Sequence, residues 1–402
     1  MKVTVLGGAG KVAMGAIQDL VENRDVKEIL LADLNMDALE KRKQFLNSNK
    51  INISYIDLND HESLVGLLKD SDVCLNGCSH VFNLKVMKAC VDSKTNYTDF
   101  GGLFHWAKEQ LKMHDDFKQA GITGIVGSGS APGIVNVMAK YAYERLDRIE
   151  SVHIRDAIVN FNQKENDFVP PYAIGTLLDE YIMNPYEFRN GEYVEKAPFS
   201  GGETFSFPPP IGEQTVLNTI HSEVATIPLS FKDKGIQDVT FKLALPKFFE
   251  EKLRFLVEMG FGDKEEIDVQ GQKISPRKVL ESIIEKKNNL INNDDQKHDD
   301  HKILRVEVKG EKNGENIEYI IETILSPYAE WPHLSQGVFS VGFPAAVTTR
   351  ILGNNQIKES GFFASEQAIP TQVYFEELAK RGIHVEVSCK KNVIDTKELA
   401  VK

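Results

Sequence analysis

VTVLGGAGKVAMG, residues 3–15, is an apolar run that breaks into closely spaced glycines and then resumes an apolar pattern. A dinucleotide fingerprint needs a strand, a tight glycine turn and a second glycine that lets the backbone approach a pyrophosphate. It also needs a small third residue where helix meets strand. Counting from Gly7 gives G-x-x-G and fails. Counting from Gly8 gives Gly8-x-Gly10-x-x-Ala13, the version ending in alanine, with Gly7 closing the strand and Gly15 inside the helix for close packing. A P-loop is rejected, because it requires Lys and then Ser or Thr after its last glycine, and Gly15 is followed by Ala16 and Ile17.

The flanks strengthen this frame. Val3, Val5 and Leu6 supply the preceding strand, and a helix beginning near Lys11 offers its N-terminal amides and dipole to a pyrophosphate. Asp33 closes the next apolar run, LLAD, about 20 residues past the glycines, where a carboxylate accepts hydrogen bonds from the adenosine ribose. A carboxylate there repels a 2′-phosphate and ADLN holds no adjacent Arg, so NAD is expected in preference to NADP. Asp57, after the third strand, is a candidate to flank the adenine, and Asn76, after the fourth, to face the nicotinamide ribose. An ordinary strand-end cap is the alternative for each.

Outward from this turn, short β-rich runs (KVTVLG, EILLAD, ISYIDL, DVCLN, NYTDF, ITGIVG) alternate with amphipathic stretches such as GAIQDLVENR and HWAKEQLKMHDDFKQAG. That alternation predicts right-handed crossovers and a doubly wound parallel sheet, an α/β Rossmann domain over residues 1–130. Longer strands follow: ESVHIRDAIVN, TVLNTIHSEVATIP, DVTFKLALP, and a pair joined at Asn313-Gly314. With helices at GTLLDEYI, KFFEEKLRFLVEMG and SPRKVLESIIEKK they predict an α+β domain with a mostly antiparallel sheet over residues 131–337. Residues 338–402 read as a mostly helical segment that packs back on the first domain.

The 402 residues are 42% hydrophobic, enough for about two or three domains. A net charge of -12 argues against nucleic-acid binding, which needs clustered Lys and Arg. With no apolar run long enough to span a bilayer and no signal-peptide layout, no membrane partner and a cytoplasmic location are expected. Cys74, Cys78, Cys90 and Cys389 are too few and too scattered for a disulfide framework, so reduced thiols are expected. Neither CLNGC nor His298 and His301 has metal-ligand spacing, and no metal is expected. The stretch from about 288 to 302, which includes NNDDQKHDDHK, reads as a solvated connection.

The sequence resembles the saccharopine dehydrogenase family, including the related lysine 6-dehydrogenases. The resemblance rests on VLGGAGKVA with LLAD, on NYTDFGG (96–102), and on GSGSAPGIVNVMAKYA (127–142). It continues through PPYAIGTLLDEYIMNPYEFRNGEYVEKAPFSGGET (170–204), TIHSEVATIP (219–228) and GFPAAVTTRILGNNQIKESGFFASEQAIP (342–370). It implies an NAD(P)-dependent oxidoreductase with a Rossmann domain and an α+β domain that closes over substrate and mediates a homodimer. The implied reaction moves a hydride between nicotinamide and the amine-bearing carbon of a lysine-derived amino acid, through an imine. Saccharopine is the leading substrate and lysine or another diamino acid the alternative.

Such chemistry needs a base for the amine, cations for carboxylates and activated water. YTDFGG puts Asp99 at the carboxyl end of a strand with Tyr97 beside it: a candidate base and a substrate contact, or a cap for the next loop. In TIHSEVATIP, read as a strand, Thr219, His221 and Glu223 share one face, so His221 oriented by Glu223 is a candidate proton shuttle. Arg155 in VHIRDA is a candidate carboxylate ligand and Tyr172 in VPPYAIG a candidate substrate contact. Ser128 in GSGSAPG is a candidate cofactor contact, with Gly8, Gly10, Lys11, Ala13, Asp33, Asp57 and Asn76. Two readings of other classes compete: a thiol-dependent oxidoreductase using Cys78, and a non-enzymatic dinucleotide sensor.

Overall fold

The computed structural model describes residues 1–101, 103–165, 167–291 and 298–391. Strands β1 (Lys2–Leu6), β2 (Glu28–Asp33), β3 (Ile51–Tyr55), β4 (Val73–Asn76), β5 (Asn96–Asp99) and β6 (Thr123–Val126) are parallel neighbours in the order β6-β5-β4-β1-β2-β3. The chain therefore winds outward from β1 to one edge, then restarts at β4 and winds to the other. This leaves a crevice at the carboxyl ends of β1 and β4, where open α/β sheets bind ligands. Val73–Asn76 is buried along its whole length, as a strand covered on both faces must be.

The next strands are β7 (Arg148–Asn160), β8 (Tyr186–Arg189), β9 (Glu192–Glu195), β10 (Glu203–Ser206), β11 (Glu213–Asn218) and β12 (Asp238–Ala244). They are followed by β13 (Ile267–Val269), β14 (Gln272–Ile274), β15 (Asp300–Lys312), β16 (Glu315–Leu325), β17 (Gly361–Ala364) and β18 (Glu386–Lys391). The second sheet runs β10-β11-β12-β7-β15-β16-β18, with β8 and β9 attached to β12. It is mixed: β7 pairs parallel with β12 and antiparallel with β15. Asn313 and Gly314 both take positive φ, 54° and 79°, and join β15 to β16 as their sequence demands.

Three local expectations are corrected. TVLNTIHSEVATIP is not one strand: β11 ends at Asn218 and Glu223–Ser230 is a helix. Residues 223–228 are all buried, so the helix shows no polar face, and its Val, Thr and Ile imitate a strand. HWAKEQLKMHDDFKQAG divides into helices Phe104–Leu111 and His114–Ala120. The last segment is not only helical: β17 joins the parallel sheet beside β6, and β18 adds an edge to the second sheet beside β16.

Ahead of those strands, helix Gln336–Gly353 packs on helix Ala13–Glu22. A Cβ on Gly15 would lie 2.5 Å from the Val338 carbonyl oxygen, and one on Gly342 2.5 Å from the Ala16 nitrogen. Gly15 therefore serves backbone packing, which fixes the helix that follows the glycine turn. No helix among the described residues is long and apolar enough to cross a membrane.

Candidate active site

At the end of β1 the left-handed position is Gly7, with φ +69°, and Gly10 N–H donates to its carbonyl at 2.8 Å. The tight turn thus belongs to Gly7 rather than to Gly8. A Cβ on Gly8 would sit 2.9 Å from Leu31 Cβ, so Gly8 serves packing on β2. A Cβ on Gly10 would meet only the Gly7 oxygen, at 3.0 Å, which leaves an open approach to the backbone. Val12 offers no side-chain cap to helix Ala13–Glu22, and the amides of Lys11, Val12 and Ala13 have no acceptor among the described residues. Unpaired amides at a helix N-terminus beside an uncovered glycine fit a pyrophosphate. Ala13 is buried, beside Gly77 at the end of β4.

Asp33 accepts from the Ala9 amide and the Asn35 amide, each at 3.1 Å. Arg42, unmarked in the sequence reading, lies over the same turn: its Nη1 donates to the Gly8 carbonyl at 2.6 Å and the Gly10 carbonyl at 2.7 Å. Lys11 faces Asp300 at the start of β15; desolvation lowers its pKa and the Asp300 charge opposes that. Asp57 accepts from the amide and side chain of Asn59, a local turn.

Behind the strand ends lies a closed polar network. Asp99 is fully buried, which raises its pKa, and one of its oxygens accepts from the Gly101 and Gly127 amides at 3.0 and 2.8 Å. The other accepts from Tyr97 at 2.8 Å, Gln110 at 2.7 Å and Asn83 at 3.3 Å. Asn76 joins through Asn83 and Tyr97. Ser128 is buried too, with its hydroxyl donating to the Asp99 carbonyl at 2.6 Å. Asp99, Tyr97, Asn76 and Ser128 are thus brought together, but as the scaffold of the two glycine turns above them.

A second cluster faces this edge from the α+β domain. His221 Nδ1 is 2.9 Å from Glu223 Oε2, its Nε2 is 3.8 Å from Glu180 Oε1, and its ring stacks on Phe241 at 3.7 Å. Tyr172 donates to the other oxygen of Glu180. Lys302 Nζ is 2.7 Å from Asp156 Oδ2 and 3.1 Å from the hydroxyl of Ser130, in the turn after β6. Burial pushes the Glu180 carboxyl up to about 7, against the opposing charge of His221. Burial alone would depress His221, but the charges of Glu223, Glu180 and Asp156 outweigh it and hold the imidazole above its ordinary value. Desolvation raises Asp156, against Lys302. Asp156 Oδ1 and Glu223 Oε1 are buried and have no hydrogen-bond partner.

The structure therefore gathers Tyr172, His221 and Glu223 with three residues the sequence reading missed: Asp156, Glu180 and Lys302. Asp156 had a signal, since Val152, Ile154, Asp156 and Ile158 alternate onto one buried face of β7, where an Asp is out of place. Lys302 was hidden in NNDDQKHDDHK; the end of that stretch is not a solvated connection but the start of β15, where Lys302 is buried. Arg155, one residue from Asp156, projects from the opposite face, paired to Glu203 at 2.7 Å and Glu307 at 2.9 Å over the Phe205 ring. It does not join the cluster. The Cys78 thiol is pushed up to about 12, first by burial and then by the charge of Asp33, which is unfavourable to a thiolate nucleophile. Open cavities of about 330 Å³ beside His114 and about 180 Å³ beside Arg350 lie elsewhere.

Known proteins are similar to this chain over two thirds of its length or more. Carboxyaminopropylagmatine dehydrogenase of Synechocystis is 22% identical over 95% of this chain and 96% of its own. The carboxynorspermidine synthase of Vibrio cholerae is 25% identical over 69% of this chain and 71% of its own. The solved structure of apo saccharopine dehydrogenase (L-Glu forming) from Saccharomyces cerevisiae superposes with a TM-score of 0.73. It covers 97% of this chain and 99% of its own at 16% identity, a likeness of fold. Residues 3–125 match the saccharopine dehydrogenase NADP binding domain, and residues 129–383 the saccharopine dehydrogenase C-terminal domain. The chain belongs to the saccharopine dehydrogenase family of nicotinamide-dinucleotide oxidoreductases.

Proposed function

We propose that this enzyme makes and oxidises the secondary amine of a carboxylated, polyamine-like substrate. The observation that carries this reading is the pair of buried, unpartnered carboxylate oxygens, Asp156 Oδ1 and Glu223 Oε1. Buried acceptors without partners cost free energy unless a ligand supplies donors, and a cationic amine supplies them. Among the described residues the cations that oppose the three carboxylates Asp156, Glu180 and Glu223 are His221 and Lys302, so the cluster suits an added positive charge better than the three carboxylates of saccharopine. The names of the two relatives, a carboxyaminopropylagmatine dehydrogenase and a carboxynorspermidine synthase, point the same way.

The bound dinucleotide would supply a hydride acceptor or donor at nicotinamide C4. In oxidation, R–CH2–NH–R′ loses a hydride and a proton to give R–CH=N–R′, and water then splits the imine into aldehyde and amine. Glu180, with its carboxyl near 7, is suited to take the amine proton and return it in the reverse direction. Tyr172 holds Glu180 in place, and Glu223 with the Phe241 ring fixes the imidazole that shares the proton. Lys302 spends two hydrogen bonds on Asp156 and Ser130, leaving one N–H for the substrate carboxylate. Asp99 acts as a positioning residue. A homodimer is part of the proposal and is read by light scattering.

The test compares kcat/KM for carboxylated polyamines, saccharopine and lysine with either dinucleotide. A carboxylated polyamine is expected to lead by about tenfold or more. Saccharopine or lysine as the best substrate would overturn the reading.

A further inference from the structure

We infer that Arg42 is the receptor for a 2′-phosphate on the adenosine ribose and makes the phosphorylated dinucleotide the preferred one. This rests on the glycine turn holding a nicotinamide dinucleotide, and it goes beyond the substrate proposal.

Sequence spacing argued for NAD because Asp33 closes β2 with no adjacent Arg. The fold supplies the missing cation from nine residues on. Asn35 caps helix Met36–Leu46 by accepting from the Ala38 amide, and the helix carries Arg42 back over the turn. One nitrogen of the guanidinium, Nη1, spends its two N–H groups on the Gly8 and Gly10 carbonyls. Nε and Nη2 have no acceptor among the described residues, so three donors of a planar, pinned fork remain available. Such a fork matches the geometry of a phosphate.

Asp33 does not forbid this. Its two oxygens are each engaged by a backbone amide, and its charge is coupled to that of Arg42. The pair is close to neutral overall, so a dianionic phosphate meets a guanidinium rather than a lone carboxylate. The adenine has a surface to lie on at the same place. Leu34, the residue after Asp33, is 61% exposed, and Tyr55, which pairs with Asp33 across β2 and β3, is 59% exposed. Two large apolar side chains left uncovered beside the ribose position suit a flat base.

The experiment is calorimetric titration of the full chain, without amine substrate, with 2′-phospho-ADP-ribose and with ADP-ribose. Wild type is expected to bind the phosphorylated ligand about tenfold or more tightly than the other. Arg42→Gln should weaken the phosphorylated ligand by about tenfold or more beyond any weakening of ADP-ribose, and Arg42→Lys should recover part of the loss. Retained ADP-ribose binding also reports that the variant is folded. Equal weakening of both ligands would mean that Arg42 only braces the glycine turn, and would overturn the inference. So would a wild-type preference for ADP-ribose. Failure of the polyamine reading leaves this result untouched, because only the nucleotide is titrated.

Discussion

Glu180→Gln tests the electrostatics of the cluster most directly. Burial raises the Glu180 carboxyl from an ordinary 4.5 to about 7 in the folded protein. The folded state therefore holds a proton over the interval in which the unfolded chain has released it, so stability falls as pH rises from about 4.5 through 7. Integrating those two values from about pH 5.5 to about pH 8 gives a loss of about 2 kcal/mol attributable to this one group. Glutamine keeps the shape and accepts the Tyr172 hydroxyl but cannot titrate. The assay is denaturant unfolding of both chains at both pH values. The pH-dependent loss in wild type is expected to exceed that in the variant by about 2 kcal/mol. In turnover, the limb of the kcat/KM profile near pH 7 should disappear from the variant. An identical pH dependence of stability in the two chains would refute the reasoning, because it would mean that Glu180 titrates as an exposed carboxylate.

Three further outcomes follow from named contacts. Lys302→Met strands the buried Asp156 charge and should cost about 3–5 kcal/mol at neutral pH, with part recovered on acidification as Asp156 protonates; thermal melts across pH read this. Arg155→Ala should leave kcat/KM within about threefold while lowering the melting temperature, since its guanidinium serves Glu203 and Glu307 on the far face of β7. Cys78→Ser should retain turnover; loss of activity in this variant would restore the thiol mechanism.

The glycine turn was legible because its constraints are local: a strand, the glycines and a helix start lie within Val3–Gly15, and Asp33 follows one crossover later. Alternating strand and helix periods likewise specified the parallel sheet, since each period is a property of a few neighbouring residues. The family resemblance came from motifs spread along the chain, and both domain matches bear it out. What sequence order could not supply was which side chains converge. Asp99 and Tyr97 look like active-site residues by position, yet packing encloses them beneath the turns. Arg155 and Asp156 are neighbours in sequence, and strand pleating sends them to opposite faces, one to an ion network with Glu203 and Glu307 and the other to the buried cluster.

His221 and Glu223 were paired for the wrong reason, as strand neighbours, and meet instead across a turn into a buried helix. Lys302 meets Ser130 from 172 positions away, and Arg42 covers a turn more than thirty positions back. The sequence by itself determined the strand–glycine–helix turn, where the contacts are short-range and backbone-encoded. Only the tertiary structure decided the buried cluster of Asp156, Glu180, His221, Glu223 and Lys302, because its charges are brought together by long-range sheet pairing and their protonation is set by burial.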